Sequence, residues 1–254
     1  MAKPAVVLVG ADKGGVGKTT VARVLLDYFV AHNVPTRAFD TEAPKGSLKR
    51  FHPDITDVVD ITSTADQMKI FDTLASADAK ITVIDIRAGQ LSKTLEALRD
   101  IGFLDAAAKT QITFTVFHVL GPSIASLEEI RDTASFMEDA HYILVKNFIN
   151  NTTFFEWDPA TYNTYFKKIK DAHEITIPKL NEMACEQVEL ASVPYVSFVA
   201  NKTADGQSAA FSFVLRGYVR HWLGNVWAEF DRVKLTEMVE IEQQQRKGAA
   251  RQQA

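Results

Sequence analysis

Val6-Val7-Leu8-Val9-Gly10-Ala11-Asp12-Lys13-Gly14-Gly15-Val16-Gly17-Lys18-Thr19-Thr20 is the stretch that decides the fold. Its first five residues form an apolar run rich in β-branched side chains, and a glycine-rich turn follows. Beyond the turn, Val21, Val24, Leu25, Tyr28 and Phe29 recur at helical spacing. The order is therefore strand, loop, helix. A polyanion needs many donors in a small concave space, and consecutive backbone N–H groups supply them where the chain can approach without Cβ clashes. Gly14, Gly15 and Gly17 give that access, with the amides of Val16 and Thr20 beside them. Lys18 is then placed to reach the β- and γ-phosphates of a nucleotide and Thr19 to offer its hydroxyl to Mg²⁺. The following helix turns the positive end of its dipole toward the anion.

Working outward, Thr36–Phe39, Ile81–Ile86, Ile112–Leu120, Tyr142–Ile149 and Val193–Val199 read as further strands. Helical patterns occupy residues 66–77, 92–103 and 124–139, the last opened by a Ser126-x-x-Glu129 capping box. Further helices are expected over 178–190 and 207–238. Strands alternating with helices predict an α/β fold, doubly wound, with a mainly parallel sheet covered on both faces. Residues 1–240 are expected to form one domain, with 150–171 as an aromatic and basic insertion. The segment 241–254 is a polar tail with almost nothing to bury.

Charged residues make up 24% and hydrophobic residues 46% of the 254, the balance of a packed globular protein. The net charge of −4 supplies no global positive field for nucleic acid, so any DNA contact must come from a local patch. One cysteine, Cys185, cannot form an internal disulfide, and helix packing is its expected role. No run approaches the roughly 18 apolar residues of a spanning helix, and no signal-peptide pattern precedes the first strand, so a cytoplasmic protein without a membrane partner is expected.

The first glycine of the ordinary G-x-x-x-x-G-K-[ST] pattern would fall at Asp12, so that form is not met. Lys13-Gly14-Gly15-Val16-Gly17-Lys18-Thr19-Thr20 instead resembles the signature of the ParA/MinD family of deviant Walker A ATPases. Asp40-Thr41-Glu42-Ala43-Pro44-Lys45-Gly46-Ser47-Leu48 is similar to that family's D-x-D-P-Q-G-S-L segment, with one residue inserted and Glu42 for the second Asp. Ile81-Thr82-Val83-Ile84-Asp85-Ile86-Arg87-Ala88-Gly89 is similar to its Walker B strand and switch, with Arg87 where the family usually carries proline. The resemblance covers residues 5–150. It implies an ATPase that uses ATP and Mg²⁺, in which Lys13 reaches across an ATP-dependent homodimer to the partner's nucleotide. Asp40 would position water and help hold the metal, and Asp85 would contact the metal through water. Asn147, at a strand end, would hydrogen-bond adenine or serve as turn chemistry. Arg87 reads as a local anion contact or, more simply, as a salt-bridged surface residue.

Output varies within that family. The lone Cys185 argues against iron–sulfur carriers, no tyrosine follows Tyr218 as a terminal kinase cluster requires, and the tail lacks the apolar face of a membrane-targeting helix. A ParA-like switch that partitions or positions DNA or another cargo, acting with a protein activator or cargo adaptor, is the leading expectation. Candidate residues for non-specific DNA contact are Lys167, Lys168 and Lys170, or Arg216, Arg220 and Arg232; a solvated helix face is the plainer account of them. Two rivals are an ATP-toggled assembly adaptor without DNA, using the Phe154–Phe166 aromatics, and a small-molecule amide ligase of related fold.

Overall fold

The computed structural model describes residues 3–74, 78–121, 124–136, 140–149 and 172–240. The expected insertion at 150–171 and the tail at 241–254 lie outside the described residues, as do Lys167, Lys168, Lys170 and the Phe154–Phe166 aromatics.

Seven strands build one sheet: β1 (Ala5–Gly10), β2 (Thr36–Asp40), β3 (Thr56–Val58), β4 (Ile81–Asp85), β5 (Thr113–Leu120), β6 (His141–Asn147) and β7 (His173–Ile177). Their order is β3-β2-β4-β1-β5-β6-β7, and every pairing is parallel. β1 is therefore central, and the chain leaves it toward one edge before returning to build the other. In parallel sheets such a reversal opens a crevice beyond the carboxyl ends of the strands.

Burial explains the composition of these strands. All six residues of β1 and all eight of β5 are buried. Alternate side chains enter different cores: Val7 and Val9 pack with α1 (Lys18–Ala31), while Val6 and Leu8 pack on the opposite face. That second core includes residues of α2 (Thr64–Phe71), α3 (Leu91–Asp100), α4 (Phe103–Ala108) and α5 (Ile124–Ala134). The first also receives α6 (Glu182–Ala191), α7 (Tyr195–Val199), α8 (Phe213–Arg232) and α9 (Leu235–Met238). Each fully buried aliphatic or aromatic side chain contributes roughly 1.5–3 kcal/mol of transfer free energy, so these two layers hold the sheet edge to edge.

Several expectations are corrected. Val193–Val199 is not a strand: Pro194 precedes α7, in which Tyr195 and Phe198, three residues apart, are the buried side chains. The seventh strand is instead β7, whose sequence HEITI carries too many polar residues to read as a core strand. The helix expected over 92–103 is α3, which ends at Asp100; Gly102 then takes φ 73°, and a further, unexpected helix, α4, starts at Phe103. Ser126 lies within α5, not at its cap, and its Oγ accepts from the Gly121 backbone N–H at 3.2 Å. Cys185 is exposed on α6, so it contributes little to helix packing.

Candidate functional site

The loop between β1 and α1 adopts backbone angles that its glycines make accessible. Gly15 has φ 73° and Gly17 φ 88°, left-handed values that side chains with a Cβ resist. At Gly17 a second constraint acts, since a Cβ there would sit 2.2 Å from Nδ2 of Asn147. Helix α1 begins at Lys18, so its unpaired N-terminal amides face the loop's concavity. Lys18 is buried and its Nζ donates to the Lys13 carbonyl at 3.4 Å. Burial pushes its ammonium below the ordinary lysine value, opposed first by Asp85 and then by Glu129, Glu42 and Asp12.

Asp40 and Asp85 face one another as register partners at the ends of β2 and β4. Asp85 is buried, and its Oδ1 has no hydrogen-bond partner. Burial pushes its carboxyl up to about 7; a Thr19 hydrogen bond and Lys18 oppose this, while Asp40 and Glu42 add to it. Asp40 is equally buried but holds three backbone amides: Oδ1 accepts from Glu42 N–H at 2.9 Å, and Oδ2 from Leu48 N–H at 2.6 Å and Lys49 N–H at 3.3 Å. Asp40 thus shapes the loop that follows it. Glu42, which the sequence reading passed over as a site residue, lines the same cavity of about 280 Å³ with Lys18, Thr19, Asp40 and Asp85. Ser47 Oγ donates to the Glu42 carboxylate.

The structure therefore brings Gly15, Gly17, Lys18, Thr19, Thr20, Asp40 and Asp85 to one cavity. Asn147 stands behind the loop, donating from Nδ2 to the Val16 carbonyl at 2.7 Å. It also lines a second cavity of about 790 Å³ that opens beside Thr20, with walls from Pro178, Leu180, Met183, Tyr195 and Trp222. That volume and its largely apolar wall suit a planar heterocycle. Of its lining, the sequence pointed to Thr20 and Asn147; Phe148 and Ile149 follow β6, and the remaining walls come from beyond β7.

On the other side, Asp12 is clamped. Its N–H donates to Glu129 Oε2 at 3.0 Å, its Oδ1 accepts from Ser92 N–H at 3.2 Å, and its Oδ2 accepts from the Ser92 hydroxyl. Glu129 in turn lies 3.5 Å from Nε2 of the buried His118. Nothing in the one-dimensional pattern pointed to this pairing across 117 residues.

Among the described residues no group of three or more His, Cys, Asp or Glu side chains is arranged to hold a metal by itself. Mg²⁺ does not require one, because it is commonly held by one or two carboxylates together with phosphate oxygens and waters. The orphaned Oδ1 of Asp85 beside the Thr19 hydroxyl fits that kind of site.

Of the expected basic patch, Arg232 bonds Glu229 and the Glu174 carbonyl, and Arg216 bonds the Val199 carbonyl and lies 5.8 Å from the Phe213 ring centre. Arg220 is exposed. No helix among the described residues is long and apolar enough to cross a membrane.

No protein-family model and no curated protein matches the chain. Solved structures do. A protein of Borrelia burgdorferi B31 assigned to plasmid partition and bound to AMPPNP is 13% identical, with a TM-score of 0.52 over 91% of this chain and 99% of that one. A ParA-family ATPase from Chlorobium tepidum TLS is 13% identical, with a TM-score of 0.51 over 87% of this chain and 98% of that one. The chain has the P-loop NTPase fold, in the form that these two structures share.

Proposed function

We propose that this chain is a Mg-ATP-dependent switch that hydrolyses ATP in a nucleotide-sandwich homodimer and serves ParA-like partition or positioning of DNA or another cargo. The observation that carries the reading is the single cavity formed by the glycine loop, Lys18 and the strand-end carboxylates Asp40 and Asp85. Fold similarity to a protein bound to AMPPNP supports an adenine nucleotide as ligand.

In this reading the loop amides of residues 14–20 and the Lys18 ammonium hold the β- and γ-phosphates, and the 790 Å³ cavity takes the base, with Asn147 steadying the loop between them. Thr19 and Asp85, with Asp40 close by, would hold Mg²⁺. The ion, when bound, supplies charge neutralisation and orients the phosphate oxygens. Phosphoryl transfer to water asks the protein for an in-line water and for compensation of charge, and little covalent chemistry. In this scheme Asp40, with Glu42 beside it on the cavity wall, would orient the water. Lys13 of a second copy would add positive charge from across the dimer, so an isolated chain turns over slowly. A protein activator or cargo adaptor completes the cycle in this scheme, and non-specific DNA is a further partner.

Steady-state ATPase measurement of the wild type and Lys13→Ala, each sized by light scattering with ADP and with AMPPNP, tests this. Dimerisation with AMPPNP and loss of most turnover in Lys13→Ala are expected. Undiminished turnover in that variant, or a monomer with every nucleotide, would overturn the dimer mechanism.

A further inference from the structure

Resting on the nucleotide reading above, we propose that Arg87 is a cationic finger supplied in cis, whose guanidinium contacts the terminal phosphate of the bound triphosphate. Arg87 lies two residues beyond Asp85 and lines the same 280 Å³ cavity as Lys18, Asp40, Glu42 and Asp85. Its main chain is fixed at both sides. Arg87 N–H donates to the Thr41 hydroxyl oxygen at 2.8 Å, that hydroxyl donates to the Asp85 carbonyl at 3.0 Å, and the Arg87 carbonyl accepts from Gln90 N–H at 3.2 Å. The side chain therefore swings from an anchored point at the cavity's rim.

The salt-bridged surface reading of Arg87 does not match what surrounds it. Its side chain is exposed, and no ion pair within 4.0 Å involves it among the described residues. Asp60 is the nearby carboxylate that feels its charge, yet Asp60 Oδ1 is already engaged by Thr62 N–H at 2.9 Å and by the Thr62 hydroxyl at 2.7 Å.

Charge balance explains why a cation is useful there. Asp40, Glu42 and Asp85 bring three carboxyl groups to the cavity, and the buried Lys18 is the one cation opposite them on its wall apart from Arg87. A triphosphate entering that space adds negative charge where it is already in excess. A guanidinium presents paired N–H donors in a plane that matches two phosphate oxygens, and it stays charged at any physiological pH. Because ADP lacks the terminal phosphate, Arg87 should discriminate between the two nucleotides.

The test is calorimetric titration of full-length wild type, Arg87→Ala and Arg87→Lys with ADP and with AMPPNP in magnesium, alongside thermal unfolding of each. Arg87→Ala should weaken AMPPNP by about tenfold and ADP by less than about twofold, the size expected of one charge-assisted phosphate contact. Arg87→Lys should recover part of that loss, and the melting temperatures should agree, since the side chain is exposed. Unchanged AMPPNP affinity in Arg87→Ala, or equal losses for both nucleotides, would overturn the proposal. Wild-type protein that binds neither nucleotide would instead remove the reading of the site on which it rests.

Discussion

The side-chain amide of Asn147, at the end of β6, donates to the carbonyl oxygen of Val16 in the glycine loop before α1 at 2.7 Å, joining residues 131 positions apart. This bond sets how closely the loop lies on the sheet, and it leaves no room for a Cβ at Gly17. The buried donor and acceptor satisfy each other where water is excluded.

Asn147→Ala therefore removes the tie and leaves the Val16 carbonyl without this donor. A stability loss of about 1–3 kcal/mol is expected from an unsatisfied buried group, together with weaker nucleotide binding. Gly17→Ala should be worse, because it combines the clash with a φ of 88°. Denaturant titration and calorimetry on the two variants measure both effects; wild-type values in Gly17→Ala would contradict this account of the loop.

Glu129 holds Asp12, the residue before the signature lysine, through Asp12 N–H. Glu129→Ala should lower turnover by about tenfold while changing nucleotide affinity little, since a charge-assisted bond to a backbone amide is lost outside the phosphate contacts. Gln keeps one acceptor oxygen and should restore most of the rate. If Glu129 acts through Lys13, its substitution should have little further effect in a Lys13→Ala background, which a double-mutant cycle reads directly.

Asp27 gives the fold a pH dependence away from the glycine-loop cavity. Burial pushes its carboxyl up to about 7, against the lowering effect of Arg23 and the backbone amides of Val196 and Tyr195. A folded value raised above the unfolded one favours the protonated form, so this contribution to stability is complete below about 3.8 and is lost as pH rises through about 7. His52, 3.9 Å from Asp27 Oδ1, acts in the opposite sense. Burial, with Arg23, lowers it to about 3, so its contribution is present above 6.5 and lost as pH falls through about 3. Where the two windows overlap, from pH 3.8 to 6.5, the slopes oppose each other, so Asp27→Asn should leave the His52 rise unopposed: unfolding free energy should climb with pH across that range in the variant relative to wild type, by on the order of 1–3 kcal/mol. Parallel pH profiles for variant and wild type would contradict this assignment.

The strand–loop–helix turn that carries the glycines was legible in the sequence because its backbone depends on consecutive residues: an apolar run, then glycines that open the chain, then Lys18 and Thr19 at the start of a helix. β1, β4 and β5 were legible because strands buried on both faces are dominated by apolar and β-branched residues. Val193–Val199 shows the limit of that signal, since a short apolar run suits either a buried strand or a buried helical turn. Pro194 and the spacing of Tyr195 and Phe198 decide for the turn. β7 was hidden by polar residues tolerated on a sheet edge. Glu42 stood in the sequence only as the acid replacing the motif's second Asp, and that it lines the cavity while Asp40 holds three backbone amides is a tertiary fact. The Glu129 clamp and the Pro178–Trp222 cavity wall depend equally on packing between distant segments.

Calorimetric titration of the purified chain with AMPPNP in magnesium, repeated with Lys18→Met, tests the central claim most directly. Saturable binding at one site per chain is predicted for the wild type, with affinity reduced by about a hundredfold or more when the ammonium is removed from the phosphates. No heat of binding in the wild type, or equal affinity in Lys18→Met, would contradict it.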